Sequence, residues 1–158
     1  MMPKHDGAAE SESLDTLTPV QRSERMGRVR GKDTKPELVV RRVAHGLGFR
    51  YRLHGADLPG KPDLVFRCLH AAVFVHGCYW HMHSCKRGRS TPVTNVEFWQ
   101  AKREGTRARD RRTAAALRRM GWHVLVVWEC QTRDAEGLAR RLNSFLSPLV
   151  AKPHRRGK

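Results

Sequence analysis

Between Leu58 and Cys85, in the stretch LPGKPDLVFRCLHAAVFVHGCYWHMHSC, the chain gathers thiols, histidines, a carboxylate and aromatic rings. Cys78, His83 and Cys85 lie close together, and Cys130 arrives from the end of a later apolar run. Three thiolates and one imidazole form a common tetrahedral set for Zn2+, and a closed set of this kind is structural rather than catalytic. The plainer alternative is buried free thiols beside a solvated histidine. Another grouping, His76 with His81 and His83 around a water-bearing zinc, is weaker, because the Cys/His set closes its shell without His76 or His81. Those two are then left for acid–base work or for contact with a phosphate. Cys68, mid-run among apolar neighbours, is expected in the core.

Asp63 follows a rigid Pro-Gly-Lys-Pro turn and opens an apolar run. At a strand start its carboxylate can emerge at the sheet end and hold Mg2+, which prefers hard oxygen ligands. Hydrolysis of a phosphodiester uses such an ion to neutralise charge and activate water. The plainer account is a turn aspartate bonding its local backbone. Glu37 is explained by helix capping, or by a place as a supporting carboxylate near the site. Asp110, among Arg107, Arg109, Arg111 and Arg112, is either a surface ion pair or a site acid. Tyr79 and Trp80, inside the metal loop, are candidates to wedge between base pairs, as is Trp99, for which a core position is equally consistent.

These groups need elements to hold them. Thr18-Pro19-Val20-Gln21 predicts a capped helix start, followed by a short basic helix with Arg22, Arg25 and Arg28 that ends near Gly31. Thr34-Lys35-Pro36-Glu37 predicts a second capped helix that stops at Gly48. Residues 49–54 alternate as a strand does. The runs 63–68 and 71–76 predict a hairpin turning at Leu69-His70. A basic loop is expected over 84–93, then a third capping box at Thr94-Asn95-Val96-Glu97 and a helix to Gly121 that Gly105 weakens or breaks. WHVLVVW at 122–128 predicts a buried strand, and 135–146 a helix with Leu138, Leu142, Phe145 and Leu146 on one face. The order predicts an α/β fold with a mixed central β-sheet flanked by helices.

The chain has 158 residues, enough for one core, and a net charge of +16. Residues 1–17 hold four acids and one base, so the positive field belongs to the remainder. That field favours a polyanion. The expected organisation is a disordered tail over 1–17, a single domain over 18–150 and a basic tail over 151–158. No run is apolar and long enough to span a membrane, no secretory signal is present, and the thiols suit a reducing cytosol. The expected location is therefore cytoplasmic.

In order along the chain, RSERM at 22–26, DTKPE at 33–37, LPGKPDLVF at 58–66, FVHGCYWHMHSC at 74–85, EFW at 97–99, RDRR at 109–112 and GWHVLVVWEC at 121–130 resemble the very short patch repair endonucleases, the Vsr family. The HGCxWHxHxC pattern is specific. The resemblance implies a restriction-endonuclease-like fold with an added structural zinc site. It implies a Mg2+-dependent, strand-specific nick on the 5′ side of the mispaired thymine at T·G mismatches, which arise when 5-methylcytosine deaminates. By the same resemblance Asp63 holds Mg2+, expected as a pair of ions, with the backbone carbonyl of Val75. His81 activates water, His76 lies beside the reacting phosphate, and Glu37 and Asp110 stand around them. Cys78, His83, Cys85 and Cys130 hold Zn2+, and Tyr79, Trp80 and Trp99 wedge the duplex. The implied partners are double-stranded DNA with a T·G mismatch, mismatch-repair proteins and a DNA polymerase, with a monomeric enzyme in a bacterial-type nucleoid. Val75 stands where relatives can carry Thr, Tyr79 replaces the more familiar Phe, and Met82 interrupts a longer histidine run; none removes a proposed catalytic group. Two other classes compete: a restriction-type endonuclease cutting intact sites, and a zinc-stabilised DNA-binding protein that cuts nothing.

Overall fold

The computed structural model describes residues 18, 20, 21 and 31–151. The expected acidic tail over 1–17, the basic helix carrying Arg22, Arg25 and Arg28, and residues 152–158 lie outside the described residues. The first capping box is formed: Thr18 N–H donates to Gln21 Oε1 at 3.0 Å and Gln21 N–H to Thr18 Oγ1 at 3.2 Å.

The elements are α1 (Lys35–Gly46), β1 (Arg52–Leu53), β2 (Leu64–Phe66), β3 (Ala71–His76), a single turn α2 (Lys86–Arg89), α3 (Val96–Arg119), β4 (His123–Trp128) and α4 (Ala135–Val150). Their sheet has the order β1-β2-β3-β4. The first three strands are antiparallel neighbours, and β4 lies parallel to β3. A parallel pair needs a long crossover, and α2 with α3 supplies it. The mixed α/β sheet is thus as expected.

Alternation along the strands sends side chains to two covered faces. Leu64, Phe66, Ala71, Val73 and Val127 pack against Val40 and Ala44 of α1 and Leu138, Leu142 and Leu146 of α4. Val65, Ala72 and Phe74 point the other way and meet Leu117 of α3. The even-numbered residues of β3 therefore face α3, and this parity decides where His76 goes.

Several boundaries differ from expectation for identifiable reasons. The hairpin leaves the sheet at Phe66 through a 3-10 turn, Arg67–Leu69, and His70 sits in the left-handed region. Cys68 therefore lies in the turn and is exposed, not in the core. Pairing over 49–54 shrinks to Arg52–Leu53, because Phe49 and Tyr51 instead set their rings edge-on to Phe66, at 6.4 and 5.8 Å. The basic stretch after Cys85 makes the turn α2 rather than a plain loop. α3 starts at Val96, with Asn95 in the left-handed region as its cap residue and no cap bond from the Asn95 side chain. α3 runs unbroken through Gly105, and α4 continues past 146 to Val150. Among the described residues no helix is long and apolar enough to cross a membrane.

Candidate active site and metal centre

The strand parity and the helix period meet at one place. Arg103, Asp110 and Leu117 recur every seven residues on α3, so they share one face. Leu117 enters the core and Asp110 reaches the C-terminal end of β3. There His76 Nδ1 lies 4.0 Å from Asp110 Oδ2, and His81 Nδ1 lies 2.6 Å from the same oxygen. The two imidazoles stack with centroids 3.9 Å apart and planes 11° from parallel. Trp128, the register partner of His76 on β4, closes its edge at 5.5 Å. Burial first, and then the charge of His81, pulls His76 down to about 4 against the pull of Asp110, so its ring is neutral at neutral pH. Burial works to raise the Asp110 carboxyl, but the His81 bond and the nearby positive charges outweigh it and hold the group below the ordinary carboxylate range.

Asp63 stands at the entry to β2, beside the same strand end. Its Oδ2 accepts the Val75 N–H at 2.7 Å. Burial pushes its carboxyl up to about 6, opposed by the Val75 bond and reinforced by the charge of Glu37. Glu37 is buried in the first turn of α1. It accepts from the Asp33 N–H at 2.9 Å, the Thr34 hydroxyl at 2.9 Å and Arg41 Nη2 at 3.0 Å. Its own N–H donates to Thr34 Oγ1 at 3.5 Å. Capping and a place beside Asp63 thus coexist for this residue.

All five expected site residues, Asp63, Glu37, His76, His81 and Asp110, line one cleft of about 440 Å³. Val75 lines it too, and so do the cations Lys32, Lys61 and Arg109. Gly60 lets the Pro-Gly-Lys-Pro turn close against α3, since a Cβ there would collide with the Thr113 side chain and its φ is +72°. A carboxylate pair with an open mouth offers hard oxygen donors for a divalent cation, and a rim of cations suits a phosphate. Two residues near this cleft carried no sequence signal. Arg41 is buried and bridges Asp33, at 2.5 Å, to Glu37, and His54 Nε2 lies 3.4 Å from it.

The Cys/His knot sits on the other side of His81. Ligand atoms of Cys78, His83, Cys85 and Cys130 all lie within 4.8 Å of one another. Cys130 Sγ is 3.5 Å from His83 Nδ1, and the Cys130 N–H points to Cys78 Sγ at 3.4 Å. His83 stacks on Trp128 with centroids 4.4 Å apart, which fixes its ring. Burial pushes the Cys78 thiol up to about 12, while the hydrogen bond from His83 is the first cause that brings Cys85 down to about 6. Such a set of three sulfurs and one nitrogen fits a soft or borderline ion. Met82, at φ 54°, takes the left-handed backbone between His81 and His83. That conformation lets one imidazole face Asp110 and the other face Cys130. Glu129 ties the knot down, accepting from the Cys78 N–H at 3.4 Å and from Arg87 Nη1 at 2.7 Å.

Tyr79, Trp80 and Trp99 are half-buried and form one cluster. Trp80 meets Tyr79 at 5.1 Å and Trp99 at 5.8 Å, both edge-on. Phe98, 61% exposed, extends the cluster from Trp99, and Lys102 lies over both rings. Within the basic run 102–112, Arg103 differs from its exposed neighbours. It is buried and donates to the carbonyls of Tyr79 at 2.9 Å, Ser90 at 2.9 Å and Gly88 at 2.5 Å. Its guanidinium also covers the Tyr79 ring at 4.4 Å. Three of its five donors go to backbone oxygens between Tyr79 and Ser90, so it is a fastener and not a phosphate contact.

Comparison with known proteins gives a consistent result. The family model described as DNA mismatch endonuclease Vsr matches residues 14–87. The type II nicking enzyme V.XorIIP of Xanthomonas oryzae is 46% identical over 134 residues, covering 85% of this chain and 98% of that protein. The type II nicking enzyme V.NmeAIP of Neisseria meningitidis is 39% identical over 84% of this chain and 94% of its own length. The DNA mismatch endonuclease Vsr of Escherichia coli is 39% identical over 117 residues, 74% of each chain.

Proposed function

The chain belongs to the Vsr family of DNA mismatch endonucleases, and we propose that it nicks one strand of double-stranded DNA on the 5′ side of the mispaired thymine in a T·G mismatch. The observation that carries this reading is the convergence of Asp63, Glu37, His76, His81 and Asp110 on one cation-rimmed cleft. Relatives named as nicking enzymes support a single-strand cut rather than cleavage of both strands. Mismatches of this kind follow deamination of 5-methylcytosine, so the nick would open very short patch repair, with mismatch-repair proteins and a DNA polymerase completing it. The proposed fold relationship is to restriction endonucleases, with 18–150 as a single catalytic domain.

Asp63, with the Val75 carbonyl, is the proposed holder of Mg2+, as one or a pair of ions. When bound, the ion supplies charge neutralisation at the scissile phosphate and acidifies water. His81 takes the proton of the attacking water at Nε2, because Nδ1 is engaged by Asp110, and the P–O3′ bond breaks as the new P–O bond forms, leaving a 5′-phosphate and a 3′ oxygen that takes a proton to become a hydroxyl. Asp110 holds that tautomer and stabilises the imidazolium that forms. His76, neutral and stacked on His81, offers a hydrogen bond to the phosphate without adding charge beside His81. Glu37, fixed by Arg41, keeps a second carboxylate facing Asp63. Cys78, His83, Cys85 and Cys130 are the proposed holders of structural Zn2+. Tyr79, Trp80 and Trp99 are the proposed wedge: a wobble pair is easier to unstack than a Watson–Crick pair, so ease of distortion becomes selectivity. Lys86, Arg89 and the exposed arginines of α3 would hold phosphates.

The test uses end-labelled duplexes with T·G or T·A at one position, in varied flanking sequence, with Mg2+ or EDTA. The expected result is a nick in the T strand of the T·G duplex alone, absent in EDTA and absent in Asp63→Ala, which still binds the duplex. Cleavage of both strands of fully paired DNA would move the protein to the restriction class. Unchanged nicking by Asp63→Ala would remove the proposed centre.

A further inference from the structure

The His76–His81–Asp110 group is a wall shared by two cavities. On the far side from Asp63 lies a second cavity of about 510 Å³. Its floor is apolar and aromatic, from Phe74, Val126 and Trp128. Its rim carries Arg107, Arg111 and Arg118. These arginines recur at helical spacing on one side of α3, with Ala114 between them leaving room. All are exposed, and none of their guanidinium groups has a hydrogen-bond or ion-pair partner among the described residues. Some arginines elsewhere are tied to carboxylates, Arg41 to Asp33 and Glu37, Arg67 to Asp57, Arg87 to Glu129; what sets Arg107, Arg111 and Arg118 apart is that they line one cavity.

We infer that this second cavity seats the nucleotide of the cut strand that neighbours the scissile phosphate, with its own phosphate against Arg107, Arg111 and Arg118. The inference rests on the reading of Asp63 and His81 as the reaction centre. The two cavities share His76, His81 and Asp110, and only one of them holds Asp63 and Glu37, so a strand cut in the first runs on past the shared wall into the second. The volume lies in the range of sites that enclose small ligands. An apolar floor with a guanidinium rim matches a nucleotide in shape and charge, since sugar and base are largely apolar on their faces and the phosphate is a bidentate acceptor for arginine. Among the described residues Asp110 is the one carboxylate lining this cavity and it already bonds His81, so the cavity offers fewer hard oxygen donors than the Asp63 cleft. Seating the neighbouring nucleotide would hold the strand in line while His81 works on the phosphate between.

The experiment replaces single phosphates of a T·G duplex, one linkage at a time, by neutral methylphosphonates. Binding is read in EDTA by fluorescence anisotropy, and nicking is read in Mg2+. In the parent protein a neutral linkage next to the scissile one should weaken both by about tenfold. In Arg107→Gln/Arg111→Gln that same linkage should cost less than about twofold, because the contact is already gone. Arg52→Gln/Arg140→Gln removes equal charge from exposed arginines that line neither cavity, and should keep the tenfold penalty. The inference is overturned if no adjacent linkage loses its penalty in the cavity variant, if the affected linkage is remote, or if the control pair abolishes the penalty equally. Nicking of the unmodified T·G duplex by the parent reports separately on the proposed centre, and the EDTA binding series decides the cavity even where that centre fails.

Discussion

Two groups of metal-capable side chains stand on either side of His81, and they are built on opposite terms. The Cys78–His83–Cys85–Cys130 group draws its ligands from a loop and from the end of β4, and its members already crowd within 4.8 Å. The Asp63 cleft is roomier, lined by carboxylates and cations, and opens to solvent. A closed set that joins distant segments acts on the fold, because the ion cross-links what the chain leaves apart. An open set of hard donors keeps valence for substrate and water, and so acts on the reaction. The difference teaches that ligand type matters less here than what each group is attached to. Removing the first group should unfold, and removing the second should only silence.

The sharpest way to break that contrast is Cys78→Ser, or exposure to a strong chelator at neutral pH. Structural zinc in small domains contributes on the order of 10 kcal/mol, comparable to the whole stability of a domain. A loss of more than about 5 kcal/mol is expected, read as a collapse of the thermal transition and of the near-ultraviolet circular dichroism. A transition within a few degrees of the parent would mean that the knot is only a thiol cluster, and the contrast would fall.

Arg103 is the competitor for the role of fastener. It clamps three carbonyls of the segment between Tyr79 and Ser90 from the face of α3. Arg103→Ala should cost about 3 kcal/mol in urea unfolding, since a buried charged donor set is lost and three acceptors must find water. Arg103→Lys should recover less than half, because one ammonium cannot reach all three oxygens. If Arg103→Ala proves more damaging than Cys78→Ser, the guanidinium and not the ion is what holds the aromatic loop.

On the other side of His81, Asp110→Asn tests whether this centre can be silenced without loosening the fold. The amide can still accept from His81 Nδ1, so packing survives, but the charge that stabilises a protonated His81 is gone. Nicking should fall about a hundredfold with the thermal transition nearly unchanged. Full-rate nicking would reduce Asp110 to a packing partner.

The two regions were unequally legible in the sequence. The Cys/His donor set announces itself through residue type and spacing, and Asp63 through the rigid turn before it. The parity of β3 then places His76 toward α3 once the strand is recognised. The buried arginines leave no such trace. Arg103 and Arg41 sit in helices among exposed arginines of the same type, and their burial depends on acceptors supplied by distant segments: the backbone of Tyr79, Gly88 and Ser90 for one, Asp33 and Glu37 for the other. Cys68 misleads for the opposite reason. Its neighbours look like strand, but the chain turns at Phe66, and the left-handed His70 that closes the turn is not a glycine. Met82 is similar: its backbone separates the two histidine roles, yet methionine carries no turn signal.

The smallest effect has the most telling sign. Burial raises the Asp63 carboxyl to about 6 in the folded protein, above the ordinary value of 3.8 that an unfolded chain would show. A carboxyl raised in this way favours the fold below the unfolded value, and that contribution is lost as pH rises through about 6. At pH 7.5 without divalent cation, Asp63→Asn should therefore be more stable than the parent, by on the order of 2 kcal/mol. The gap should narrow as pH falls from about 6 toward 4. Asparagine keeps an acceptor for the Val75 N–H, so the difference isolates the charge. Mg2+ should stabilise the parent at pH 7.5 and leave Asp63→Asn unmoved, since a bound cation offsets the desolvated carboxylate. Thermal melts at pH 4.5 and 7.5, with and without Mg2+, measure both effects. Parallel stabilities across that window, or equal stabilisation of the variant by Mg2+, would show that Asp63 is solvated like a surface acid. Deleting a donor from the Cys/His knot would then still unfold the protein, but deleting one from the cleft would no longer have the opposite sign, which is what separates a centre built for holding the chain from one built for working on DNA.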